Sequence, residues 1–402
     1  MCSAVCAAMA LFILSSPYLP EEWPETDNTA ATVRAAKTTQ GLYARYENQQ
    51  GKRLSILVVP GHEPTYGGTE YKDLLERDIV VDIADELAER LRANRSISVM
   101  VARTKTGWHP TLQHYFDTNW DRIVAWRDSN KVETARLEAS GLREEVVPAV
   151  RHNPAPEGPS VRLNGINKWA DENDVDVVLH LHINDHPRSR ASEPGTYSGF
   201  ALYIPYPGYA NNDVSRAIAE KLYDRLARYY PVSDLPGESA GIVEEAKLIA
   251  IGRDNSQSAA SMLVEYGYIY EPQWTEDALR QTTVHDVAMQ TYLGLQDFFD
   301  RSSQKTYTST LLPYTWERTV GTDTDTSLDI VALQTALVEE GVYPPPGNTL
   351  NECPRSGKFG PCTERALKLF QKKYGIEGDG TILGPATRTE LNARYGKQLS
   401  YQ

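Results

Sequence analysis

Residues 54–91, LSILVVPGHEPTYGGTEYKDLLERDIVVDIADELAERL, constrain the chain more than any other stretch. Leu54 to Val59 is apolar and β-branched, the composition of a strand covered on both faces. Pro60-Gly61 ends it and leaves His62 just past its carboxyl end. In open α/β sheets that edge is where ligands bind. A helix is predicted from near Lys72, with Ile79, Val80, Ile83, Leu87 and Leu91 on one stripe at helical spacing. Glu76 lies one turn ahead of Ile79 and Val80, on the same inward face. A carboxylate facing a core needs a partner, because an unpaired buried charge is costly. A metal ion shared with His62 would supply one. The plainer alternatives are a turn histidine and a carboxylate placed for the helix dipole. On this stretch alone both readings stand.

The rest of the chain continues the alternation of strand and helix. Residues 96–104 read as the second strand. DVDVVLHLHIND carries another at 175–183, and alternation puts His180, His182 and Asn184 on one face. GFALYIPYP (199–207), KLIAIG (247–252) and SMLVEYGYI (261–269) read as further strands, and Glu265 interrupts the apolar run of the last. Helices are expected at 161–173, 214–230 and 275–300. This pattern implies an α/β class: a twisted, mostly parallel sheet flanked by helices on both faces. Residues 105–160 are expected as an insertion over or beside the active face, with a helix at 118–147 and the Pro-rich loop HNPAPEGP. Their aromatics, Trp108, Phe116 and Trp120 among them, read as a satellite core rather than a substrate wall.

A chain of 402 residues has room for two or three domains. A formal net charge of −13, with no large basic stretch against it, argues against a nucleic-acid binder. Residues 4–14, AVCAAMALFIL, are continuously apolar but too few to span a bilayer comfortably. They fit the core of a secretion signal or the remainder of a membrane anchor, although no Lys or Arg precedes them. Residues 18–35 read as a tether, and a lead-in helix is expected near 29–47. Cys353 and Cys362 bracket the loop PRSGKFGP, which lacks the four-ligand pattern of a structural zinc site. A local disulfide is expected, which fits an exported location. The expected layout is a signal-like or anchor segment (1–17), a tether and lead-in helix (18–50), a catalytic domain (51–301), a Thr-rich linker (302–325) and a small C-terminal three-helix domain (326–402).

Catalytic zinc takes three protein ligands and keeps a fourth position open. Such hydrolases also need a carboxylate that is not a ligand, to move the water's proton to the leaving amine. His62, Glu76 and His182 supply the first set, and Glu265 the second. No HExxH helix or phosphate loop competes with them. VVPGHEP…GG…LLERDIVVDIADELAERL, VMVART ending in Arg103, HLHIN and LVEYGYI follow one another over about residues 54–300. In that order they resemble the zinc-dependent N-acetylmuramoyl-L-alanine amidases. The resemblance implies that His62, Glu76 and His182 bind Zn2+ and that Glu265 is the general base. The chain departs from the family pattern at Glu63, where Gly is usual, and at His180, where Ser is usual. His180 is expected as a core or supporting histidine rather than a rival ligand.

VALQTALVEEG, SGKFGPCTERALKLFQKKYGI and GDGTILGPATRTEL, over about residues 326–396, resemble the small three-helix peptidoglycan-binding domain, with PPPGNTLNECPRS as an insertion. The two resemblances imply a bacterial hydrolase of the periplasm, cell wall or extracellular space, with peptidoglycan as its partner. Its reaction would be cleavage of the amide between N-acetylmuramic acid and L-alanine. Two alternatives stay open: a zinc peptidase cutting within the stem peptide, and a wall-binding protein that no longer turns over.

Overall fold

Strands that are apolar along their whole length need cover on both faces, and the fold provides it in two helical layers. The computed structural model describes residues 36–48, 51–150, 152–188, 190–300 and 309–397. The apolar segment 4–14, the tether and most of the expected linker's first part lie outside the described residues. In chain order the elements are α1 (Thr39–Glu47), β1 (Leu54–Pro60), β2 (Glu70–Tyr71), β3 (Leu74–Leu75), α2 (Glu76–Arg92), β4 (Ile97–Val101), α3 (Pro110–Ala139) and α4 (Glu157–Glu172). Then come β5 (Val177–Asn184), β6 (Ala201–Pro205), α5 (Asn212–Leu226), β7 (Ile242–Glu245), β8 (Ala260–Tyr268), α6 (Pro272–Thr275) and α7 (Asp277–Phe299). The C-terminal region holds β9 (Val320–Gly321), α8 (Leu328–Glu339), α9 (Pro361–Lys373), β10 (Ile382–Leu383) and α10 (Pro385–Tyr395).

Six strands form one sheet in the order β4-β1-β5-β8-β6-β7. Every neighbouring pair is parallel except β6 and β8, which run antiparallel. Along β1 and β5 the side chains alternate between two cores. Ile56, Val58, Leu179 and Leu181 pack with the apolar stripe of α2 and with residues of α5 and α7. Leu57, Val59 and Val178 pack on the other side with Phe116, Ile123, Ile166 and Trp169 of α3 and α4. Fully burying each such side chain is worth about 1.5–3 kcal/mol. His180 and His182 share the α3/α4 side with Val178, two residues apart along β5.

Several local expectations shift. Residues 247–252 are not a strand: Ile249–Ile251 form a 3-10 turn closed by Gly252 at φ 96°. Ala250 and Ile251 are apolar because they bury against Tyr203 and Leu263. The edge strand is instead β7, whose two glutamates hide it in the sequence. Helix α2 begins at Glu76 rather than near Lys72, because Lys72 adopts a left-handed turn, φ 55°, between β2 and β3. Helix α3 begins at Pro110 rather than near 118, with proline at its first position and the His109 ring accepting from the Thr111 amide at 3.3 Å. Residues 105–160, read from sequence as an insertion, thus contain α3 and the start of α4, which cover the second face of the sheet.

The C-terminal helices enclose their own core of Ile330, Leu333, Leu337, Leu367, Phe370 and Leu391. Trp316, inside the stretch expected as linker, is buried in that core and donates from Nε1 to the Asp329 carbonyl at 2.9 Å. Cys353 and Cys362 are joined by a disulfide. Among the described residues no helix is long and apolar enough to cross a membrane.

Candidate metal centre

The site starts where β1 stops. The Gly61 amide donates to the Leu181 carbonyl at 2.9 Å and keeps the turn alongside β5. A Cβ at Gly61 would lie 2.3 Å from the His182 ring, so only glycine admits this approach. His62 follows at φ 69°, a left-handed conformation that a non-glycine residue adopts at a cost. Arg103, just past β4, holds the turn there. Its side chain is 1% exposed. It donates to the Pro60 carbonyl at 3.1 Å, to the Gly61 carbonyl, and to the Arg77 carbonyl in α2 at 3.0 Å. Burial pulls its guanidinium down to about 10, against the opposing charges of Glu76, Asp78 and Glu63. The next residue, Glu63, is buried and accepts from Arg162 of α4 at 3.0 Å and from the Trp108 indole at 3.3 Å. The turn carrying His62 is therefore pinned by both helical layers.

Glu76 is the first residue of α2 and is buried. Its Oε1 lies 2.8 Å from His62 Nε2 and 3.1 Å from His182 Nδ1, and accepts from the Ile183 amide at 3.1 Å. Its Oε2 accepts from the Thr69 amide at 2.8 Å. The ligand-type atoms of His62, Glu76 and His182 all lie within 4.8 Å of one another. The two imidazole rings meet edge to face, with centroids 4.8 Å apart. Gly68, at φ 81°, keeps the loop open, since a Cβ there would come within 2.9 Å of His62 Cδ2. Burial pushes the Glu76 carboxyl up, but the two imidazoles beside it outweigh that and hold it well below the usual carboxylate range. His62 Nε2 is buried and, despite its closeness to Glu76, completes no well-directed hydrogen bond. Two imidazoles and one carboxylate, with a nitrogen left uncommitted, form a donor set that fits a zinc ion.

Glu265 stands one strand over: in the parallel register of β5 and β8 it is the partner of His182. Its Oε2 is buried without a hydrogen-bond partner. Burial, together with the charges of Glu76 and Glu238, pushes its carboxyl well above the usual range. Glu238 is itself buried and accepts from Asn184 at 2.8 Å, Tyr203 at 2.5 Å, Ser233 at 2.5 Å and Tyr268 at 3.0 Å. His180 faces the same side, one step deeper, and does not join the three-residue group. Burial, with His182 beside it, pulls it down to about 3, and neither ring nitrogen completes a hydrogen bond. A cleft of about 1410 Å³ opens over the centre, lined by His62, His180, His182, Trp108, Arg162 and Arg188 among others.

The structure thus brings His62, Glu76 and His182 into one group, with Glu265 adjacent. Sequence reading missed Glu238 and the bracing of Glu63 by Arg162 and Trp108. The Glu63 contacts span 45 and 99 residues of chain, and no local pattern announces them.

Fold and centre together define a class: an α/β protein that gathers a His–Glu–His donor set at the carboxyl edge of a mixed sheet. The family model for N-acetylmuramoyl-L-alanine amidase matches residues 56–297, and the chain belongs to that family. It is accordingly a hydrolase of the peptidoglycan amidase class. A peptidoglycan binding domain model matches residues 326–391. Among solved structures, the chain is similar to the CwlD amidase from Clostridioides difficile in complex with the GerS lipoprotein. That match has 14% identity and a TM-score of 0.40, and covers 62% of this chain and 100% of that one. The amidase Ami1 from Mycobacterium smegmatis matches at 14% identity and TM-score 0.39, over 62% and 98% of the two chains. The amidase AmiC2 of Nostoc punctiforme matches at 14% identity and TM-score 0.35, also over 62% and 98%. No curated protein matches the chain.

Proposed function

We propose that this amidase is zinc-dependent, with His62, Glu76 and His182 as ligands and Glu265 as the general base. The observation that carries the reading is the convergence of the three donors within 4.8 Å, beside a buried carboxylate with an unclaimed oxygen. His62, Glu76 and His182 would hold the zinc ion, which would supply Lewis-acid chemistry for the muramoyl–alanine carbonyl and for a water nucleophile near neutral pH. Glu265 takes the proton of the attacking water and delivers it to the leaving alanine nitrogen. Its burial and carboxylate neighbours raise its proton affinity, which suits a group that takes a proton from water and hands it on. The amides of Thr69 and Ile183 hold the Glu76 carboxylate in a fixed orientation. Arg103 keeps the His62 turn in its left-handed conformation. The C-terminal domain holds the enzyme on peptidoglycan, and the Cys353–Cys362 disulfide fits an exported, wall-associated location.

Mass spectrometry of purified peptidoglycan digested by the full chain tests this. The expected products carry a free lactyl carboxylate on muramic acid and a new amino-terminal alanine, and a chelator abolishes them until zinc is returned. Cuts within the stem peptide, or cleavage indifferent to the chelator, would contradict it.

A further inference from the structure

One buried ion pair takes no part in this chemistry. Asp286 lies in α7, and Arg355 lies in the inserted stretch PPPGNTLNECPRS of the C-terminal domain, two residues past Cys353. Arg355 donates to Asp286 at 2.7 Å, and the two side chains are 3% and 0% exposed. The guanidinium sits beside the rings of Tyr229 and Tyr230, 4.9 and 5.0 Å from their centroids. Asp286 also accepts from Tyr230 at 2.7 Å and Ser309 at 2.6 Å. Burying two charges is tolerated where each is paired and hydrogen-bonded, and here the partners come from both domains.

The contact extends around the pair. Glu339 of α8 lies 2.5 Å from Arg228, and Asn351 donates to the Val232 carbonyl at 2.6 Å. Leu279 of α7 packs with Leu311 and with Val331 of α8. The gap left at this junction is about 20 Å³, room for about one water.

Its place in the fold gives it meaning. Helices α6 and α7 follow the carboxyl end of β8, so Leu279 lies near that edge of the sheet, and Asp286 stands about 10 Å further along the helix. Strand β6 runs antiparallel to β8, so its start lies at the same edge, and there Phe200 bridges to Val232. The junction thus flanks the edge where the cleft opens.

We propose that the disulfide-closed insertion around Arg355 is a docking element that locks the peptidoglycan-binding domain onto the catalytic domain as one rigid body beside the catalytic edge. Wall material held by the C-terminal domain is then presented to the cleft in a fixed direction, not on a free tether. This does not depend on the metal or base assignments. Small-angle scattering of the full chain tests it, on wild type, Arg355→Ala and Arg228→Glu, with near-ultraviolet circular dichroism to verify folding. Wild type should fit a single docked arrangement. Arg355→Ala should raise the radius of gyration by about 2 Å as the domains separate. Arg228→Glu, which sets a like charge against Glu339 at the rim, should shift it the same way and carries the test if Arg355→Ala misfolds. A wild-type curve that requires a spread of domain positions would overturn the proposal. So would folded variants that scatter as wild type does.

Discussion

The two ends of strands β1 and β5 handle buried charge in opposite ways. At the amino edge, Asp176 is buried, and its Oδ2 accepts from the Ser55 amide and hydroxyl, both at 2.9 Å. Its Oδ1 completes no well-directed hydrogen bond but is paired by charge, 3.0 Å from Arg45 and 3.5 Å from Lys37. Asp174 beside it pairs with Lys37, Arg45 and Lys52. At the carboxyl edge, Glu265 Oε2 is buried with neither a hydrogen bond nor an opposite charge beside it, and His62, its Nε2 2.8 Å from Glu76, sits in a left-handed conformation. A satisfied polar network fixes structure. A network left short, with perturbed protonation, is poised for chemistry. The same sheet carries both, so the difference lies in the partners supplied rather than in burial.

The largest expected effect comes from removing the short network's free carboxylate. Glu265→Gln should lose about 10²–10⁴-fold in turnover while keeping its bound metal. Its unfolding midpoint should stay the same or rise, since a buried carboxylate without a full set of partners gives way to a neutral amide. A variant that instead unfolds early but retains turnover would make Glu265 a structural residue and dissolve the contrast.

At the other end the signs reverse. Asp176→Ala should cost about 1–3 kcal/mol by leaving the Ser55 donors without their acceptor. Amide hydrolysis per folded molecule should stay near wild type. Denaturant unfolding alongside activity separates the two. A stable but inactive Asp176→Ala would place the amino edge in the catalytic machinery.

The smallest effect is a pH dependence of the amino edge. Burial raises the Asp174 carboxyl, but Lys37, Arg45 and Lys52 outweigh it and hold the folded value below the usual range. A depressed folded value means the unfolded chain takes up the proton first. The contribution is therefore fully present above about pH 4, the ordinary aspartate range, and is lost as the pH falls below it. Asp174→Asn should flatten this acid slope of the unfolding midpoint. An unchanged slope would locate the acid sensitivity elsewhere.

Much of this was legible in the chain because it is local. The apolar runs of β1, β5 and β8 required a covered sheet, and Glu76 and Glu265 stood out as acids on faces with no packing reason to hold them. What escaped reading is set by distance. Residues 247–252 are as apolar as a strand because they bury under one, and the real edge strand β7 is masked by Glu244 and Glu245. Helix α3 carries a polar outer face and irregular aromatic spacing, so it reads as an insertion rather than a layer, whereas most of α4 is legible as the helix expected at 161–173. The pairing of Arg162 with Glu63, and of Arg355 with Asp286, joins residues 99 and 69 positions apart. Only the folded chain brings them together.

The central claim is that the unsatisfied edge holds a metal through His62, Glu76 and His182. Elemental analysis of the purified full chain tests it most directly, on wild type, His182→Ala and His180→Ala. The account predicts one zinc per chain in wild type, most of it lost in His182→Ala and retained in His180→Ala. A His182→Ala protein with its full zinc, beside a His180→Ala protein without it, would contradict the account.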